Sequence, residues 1–94
     1  MKRGKRLNQD GLRFIYIRNG LNHGRIGFAV SRKYGNAVQR QHLKRCLREA
    51  FRQHPVKLLG LDILIIPSAP FNPALNAQRC SIDIFNVLME KSKT

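Results

Sequence analysis

The sequence predicts an α+β fold, a small mixed sheet carrying two helices, and three stretches carry that expectation. Residues 12–18 alternate in the manner of a strand. Residues 37–53 place apolar side chains at three-four spacing, as an amphipathic helix does, and residues 61–67 form an unbroken apolar, β-branched run. At 94 residues the chain makes one domain, 1–94, expected to bury roughly 60 to 70% of its extended-chain surface.

In order along the chain, residues 1–11 are polar and basic, and composition leaves open whether they form a basic arm or an edge strand. "LRFIYIR" sets Leu12, Phe14 and Tyr16 on one face against Arg13, Ile15 and Ile17 on the other, in residue types suited to a pleated surface. The turn cluster "NGLNHG" follows. "RIGFAVSRK" then alternates again, so the two runs are expected to pair as a hairpin. "KYGNAV" reads as a loop, with Asn36 the N-cap of a helix from Ala37 to about Gln53 that Pro55 ends near His54. "LDILIIP" is expected to be buried on both faces, central and beside a parallel neighbour. A Pro-punctuated loop leads to a second helix from about Ala74 to Glu90 or Lys91, with Leu75, Ile82, Phe85, Leu88 and Met89 inward; "CSIDI" also alternates, leaving a short strand at Cys80–Ile84 open.

Composition then narrows the class of function. Eighteen Lys and Arg against five Asp and Glu give a formal charge of +13, which is self-repelling in a compact chain and is relieved by a polyanion. Cys46 and Cys80 lie far apart with no partner at zinc-ligand spacing, so they read as small buried hydrophobes in a reducing cytosol, and no metal is expected on the protein. No apolar run reaches the length of a membrane span, and the basic N-terminus has no apolar stretch behind it, so the expected location is cytoplasmic. Independent catalysis is poorly supported. The acids Asp10, Glu49, Asp62, Asp83 and Glu90 are dispersed, neither Ser31 nor Ser68 has a visible His and acid arrangement, and no Gly-rich nucleotide loop is present. His23, His42 and His54 read as solvated or RNA-facing polar residues.

The first helix carries the strongest signal. At about 100° per residue, Leu43, Cys46, Leu47, Ala50 and Phe51 span an arc of roughly 140°, and Arg40, Lys44, Arg45, Arg48 and Arg52 are expected on a separate arc of similar width. A cationic helix face is commonly only a solvated face. Here it has almost no acids to form i,i+4 pairs, it is four-fifths Arg, which suits bidentate phosphate contacts, and Arg32 and Lys33 flank it together with Lys2, Arg3, Lys5 and Arg6. Polyanion binding is therefore favoured over both a merely solvated face and a membrane surface, since the apolar stripe is needed by the core. Composition alone does not choose between DNA and RNA.

"GRIGFAVSRKYGNAVQRQHLKRCLREAFR", Gly24 to Arg52, resembles the signature segment of the protein subunit of bacterial ribonuclease P: a strand of the type R-x-G-x-x-V-S-K-K, then G-N-A-V, then R-N-R-x-K-R-x-x-R-E-x-F-R. "LDILIIP" resembles the strand that follows in that family, and the likeness extends over roughly Gly11 to Lys91. The resemblance implies a ribonuclease P protein-like fold of the ribosomal protein S5 domain 2-like type, with a left-handed β-α-β crossover. It also implies an accessory subunit that assists a catalytic RNA in removing the 5′ leader from precursor tRNA. The protein would bind no cofactor alone, Mg²⁺ would enter through the partner RNA, and no small-molecule substrate or membrane is implied. By the same resemblance the RNA-binding residues are Arg32, Lys33, Asn36, Arg40, Gln41, His42, Lys44, Arg45, Arg48 and Arg52, with Phe14 and Tyr16 as candidates for the leader cleft on one sheet face and equally suited to the core.

The chain departs from the pattern at two places. Gln41 and His42 stand where the family has Asn and a second Arg, so affinity is expected to be weaker or more pH-dependent. Family members also place a helix before the first strand, whereas "MKRGKRLNQDG" resembles the stretch just after it, so that helix is absent from this sequence; either the lineage dispensed with it or Met1 is not the natural start, and the second is the expectation. From other classes, a ribosomal or assembly-factor RNA-binding protein and a stand-alone nuclease remain as alternatives.

Overall fold

The structure is a computed structural model that describes residues 4–9, 11–72 and 76–92. Lys2, Arg3, Asp10 and Leu75, used in the sequence reading, lie outside the described residues. The elements are β1 (Lys5–Gln9), β2 (Leu12–Arg18), β3 (Arg25–Phe28), α1 (Ala37–Gln53), a 3₁₀ turn (Pro55–Leu58), β4 (Leu61–Pro67) and α2 (Ala77–Ser92). The basic N-terminal segment thus supplies an edge strand, joined to β2 through Gly11 at φ 82°.

The sheet order is β1-β2-β4-β3. β1 and β2 are antiparallel, as are β2 and β4, while β3 runs parallel to β4. β4 is central beside a parallel neighbour, as expected, but it is buried on one face only: Leu61, Ile63 and Ile65 are buried under the helices, whereas Asp62, Leu64 and Ile66 are half-buried because no helix covers their side. The expected pairing of residues 12–18 with 25–30 does not form, because β4 lies between them. The physical reason is that β4 has an apolar side on both faces, Ile63 and Ile65 on one and Leu64 and Ile66 on the other, and is best satisfied between two strands. The 19–24 turn is tied across the start of β4: Asn19 N–H donates to Gly60 O at 3.0 Å and Gly24 N–H to Lys57 O at 2.7 Å. Gly24 has to be small, since a Cβ there would stand 3.1 Å from Leu59 O and 3.2 Å from the Phe51 ring.

Both helices pack on one sheet face. Register and alternation put Leu12, Phe14, Tyr16, Ile63 and Ile65 there, in one cluster with Leu43, Leu47, Phe51, Phe85 and Leu88. Phe85 is the hub, meeting Phe14 edge-on at 6.2 Å, Phe51 at 5.9 Å and the His54 ring at 5.5 Å.

α2 differs from its expected phase. It is helical through Cys80–Ile84 and buries Cys80, Ser81, Ile84, Phe85 and Leu88, while Ile82 is exposed. His54 is likewise corrected from solvated to structural. It caps the 3₁₀ turn by accepting Val56 N–H on Nδ1, so the proton is on Nε2, which donates to Asn86 Oδ1 at 2.7 Å. Cys80 is buried as expected; Cys46 is only partly so and lies 3.5 Å from His42 Nε2. No helix among the described residues is long and apolar enough to cross a membrane.

Candidate nucleic-acid interface

The interface is built outward from a tightly held loop. Tyr34 is buried and packs edge-on against Phe71 at 6.1 Å, and Phe71 N–H donates to Tyr34 O at 2.6 Å. Burial pushes the Tyr34 phenol above its ordinary pKa. Tyr34 N–H also donates to Ser31 O at 3.1 Å, closing a turn whose two central residues, Arg32 and Lys33, are exposed at its tip. These cations are thus presented by a braced turn.

Asn36 then starts α1 with a capping box: Gln39 N–H donates to Asn36 Oδ1 at 2.8 Å, and Asn36 N–H to Gln39 Oε1 at 2.9 Å. The Asn36 acceptor is therefore committed to the helix, leaving its amide N–H groups for an RNA contact. Gly35 must lack a side chain, because the Gln39 carboxamide occupies the space a Cβ would take.

On α1 the buried residues are Leu43, Leu47, Ala50 and Phe51. Lys44, Arg48, Gln41, Arg52 and Arg45 follow one another round the adjacent arc of roughly 100°. Arg40 does not belong to that arc. Its direction falls between Leu47 and Phe51, so it is half-buried and its guanidinium turns back to donate to Gly35 O at 3.3 Å, bracing the loop. The expected five-cation stripe is therefore four on the outer arc and one at the junction.

The four are not equivalent. Arg48 lies over the Phe28 ring at 5.1 Å, which fixes its guanidinium beside β3. Arg52 is bound to Glu49 at 2.6 Å and is the least available. Arg45 is exposed, in a hollow lined by Ala37, Val38, Gln41 and His42, so the two residues that depart from the family pattern share a surface with the freest arginine. Lys44 stands at the other end of the arc, beyond Arg48, and is partly exposed.

Of the two placements left open for Phe14 and Tyr16, the structure takes the core. Both are in the helix-covered core, Phe14 with 0% and Tyr16 with 8% of its surface exposed, so Phe14 offers no ring to a base. The opposite sheet face carries Arg6, Arg13, Ile15, Ile17, Leu64 and Ile66 by register, and Ile15 stands outside the main core cluster. Sequence alternation listed Arg13, Ile15 and Ile17 together but did not say which side the helices cover. The signal available was Arg13 itself, whose charge suits the open face.

Asp62, the acid of β4, is engaged rather than poised. It accepts Arg25 Nε at 2.8 Å, Arg25 Nη2 at 2.7 Å and Asn19 Nδ2 at 2.9 Å. These bonds, the Arg25 one foremost, hold its carboxyl down at about 2. Among the described residues no group of three or more His, Cys, Asp or Glu side chains is arranged to hold a metal ion. What the surface offers chemically is fixed cationic donors beside an open, partly apolar sheet face.

The family model described as Ribonuclease P matches residues 1–90. The chain is 42% identical over 67 residues to the ribonuclease P protein component of Thermotoga maritima, covering 70% of this chain and 57% of that one. It is 39% identical over 70 residues to that of Staphylococcus epidermidis, covering 73% and 61%. These matches thus span about three-fifths of the relatives' own length. The solved ribonuclease P protein of T. maritima superposes with a TM-score of 0.74 at 30% identity, over 95% of this chain and 84% of that one. The Staphylococcus aureus protein gives 0.72 at 30% identity, over 96% and 83%. Sheet, helices and cationic loop-helix segment together fall within the match, and the chain belongs to the Ribonuclease P protein family.

Proposed function

We propose that this chain is the RNA-binding accessory subunit of ribonuclease P, assisting a catalytic RNA in the endonucleolytic removal of the 5′ leader from precursor tRNA in the cytoplasm. The observation that carries the reading is the row of cations from Arg32 and Lys33 through Lys44, Arg45 and Arg48, set on a braced turn and a capped helix in a chain of this family. Held this way, the cations lose little freedom on meeting phosphates and neutralise them where RNA strands approach each other. The open sheet face, where the half-buried Ile17, Leu64 and Ile66 share a side with Arg6 and Arg13, takes the single-stranded leader, its bases against the aliphatic side chains and its phosphates on the arginines. Catalysis is assigned to the RNA, through which Mg²⁺ would enter; the protein's part is to bind and orient.

Reconstitution tests this directly. Added to bacterial ribonuclease P RNA at low Mg²⁺, the chain should restore cleavage of precursor tRNA at the mature 5′ end. An RNA that binds the chain yet stays inactive would move it to the ribosomal or assembly-factor class, and cleavage by protein free of RNA would make it a nuclease in its own right.

A further inference from the structure

A second surface, away from α1, combines apolar walls with cations. Where the last turns of α2 meet the end of the sheet, a cavity of about 260 Å³ is lined by Lys5, Tyr16, Ile17, Arg18, Leu61, Leu88 and Lys91. Register explains its composition. Lys5 is directly opposite Tyr16 across the β1–β2 ladder, Arg18 follows Tyr16 on the same face, and Arg18 is opposite Leu61 on β4. Leu88 and Lys91, one turn apart on α2, close the other side.

The walls and the rim differ in character. Leu61 and Leu88 are buried, and Tyr16 retains 8% of its surface, whereas Lys5 and Arg18 are exposed and neither is in an ion pair among the described residues. Among the described residues no carboxylate lines the cavity. A second hollow of about 300 Å³, lined by Gly20, Leu21, Leu59 and Gly60, shares Arg18 and Leu61 with the first, so Arg18 stands between two adjoining depressions. Leu21, 44% exposed, lines the outer one.

We infer that this cavity is a nucleotide pocket: it takes one unpaired base of an RNA strand against Tyr16, Leu61 and Leu88, with the adjacent phosphate on Arg18 and Lys5, and the strand continues over Arg18 along the second hollow. A flat apolar ring beside a charge of −1 is the ligand that uses both halves of the site. A simple anion leaves the apolar wall wet, and an apolar side chain leaves the cations unsatisfied. Tyr16 thus has a nucleic-acid role, but at the end of the covered face. The inference deepens the proposed RNA-binding function and adds a contact lying off α1 and off the open sheet face.

The test uses the full chain and a short oligouridine carrying one 4-thiouridine, without any catalytic RNA, so that it is separate from the reconstitution. Photo-crosslinks mapped by mass spectrometry should fall on Tyr16, Arg18 or Leu88 as well as on α1, and not on Ile15 or Arg13 of the open face alone. Arg18→Glu with Lys5→Glu should reduce the β2 crosslink by about tenfold or more while leaving that on α1 unchanged, and thermal unfolding confirms that the variant folds. Uridine monophosphate should compete for the β2 site, and inorganic phosphate at equal concentration should not. Crosslinks confined to α1 and the open face would overturn the pocket. So would phosphate competing as well as the nucleotide, or an acidic peptide bearing an apolar side chain outcompeting both. A chain that fails to activate the catalytic RNA yet gives the β2 crosslink would lose the proposed function and keep the pocket.

Discussion

Asp62 shows how one residue holds a strand junction. It sits on β4 with Arg25 on β3 beside it and Asn19 just beyond β2, and the bidentate Arg25 contact fastens the parallel edge strand. Its folded pKa of about 2 lies below the ordinary 3.8, so its contribution to stability is present above about pH 4 and is lost as pH falls toward 2. Asp62→Asn should lower the thermal midpoint at pH 7 and flatten that part of the acid unfolding curve. An unchanged curve would show the ion pair to be idle. Phe85 is the second critical residue. Phe85→Ala removes the ring shared by Phe14, Phe51 and His54 and should cost about 3–5 kcal/mol, visible as loss of cooperative unfolding.

At the scale of elements, α1 joins an apolar, buried stripe to a cationic one. Asn36→Ala should cost about 1 kcal/mol through the lost cap. Arg45→Glu should weaken RNA binding and lower the salt slope by about 1, whereas Arg52→Ala should do much less, because Glu49 already holds that guanidinium. Equal losses for the two would refute the ranking. α1, its cap and β4 were legible in the sequence, since periodicity, capping and a two-sided apolar run are local signals. The strand order was not. A turn cluster between Arg18 and Arg25 looks the same whether the strands pair or a third enters between them, and only the need of Leu61–Pro67 for two neighbours discriminates. The real hairpin, β1–β2, is announced by Asp10-Gly11, a pair that favours tight two-residue turns. The cations were legible in number but not in availability. Arg52 and Glu49 at i,i+3 could have been paired from spacing, whereas Arg48 over Phe28 depends on where β3 lies.

For the whole molecule, charge and size set the expectation. With +13 charges and a radius of gyration of 12.7 Å, every cation feels the others at about 10 mM salt, where the screening length is roughly 30 Å. Far fewer interact at 150 mM, where it is about 8 Å. The free protein should therefore unfold at a higher temperature as salt is raised over that range, while its affinity for RNA falls. If five to seven phosphates are engaged, log K against log salt should have a slope of roughly −4 to −6. A slope near −1 would sink the patterned surface.

The placement of β4 between β2 and β3 also governs the order of assembly. As the chain leaves the ribosome, β1 and β2 can close on each other at once, but the other long edge of β2 waits until Leu61–Pro67 has been made. The cationic helix is synthesised in that interval, before the strand that completes the sheet beneath it. β3 cannot join early either, since its ladder partner is the same late strand. The nascent chain thus exposes adhesive backbone edges alongside a strongly basic segment for the whole of that interval, and the pairing of β4 closes the facing edges of β2 and β3 in one step while the cations stay at the surface.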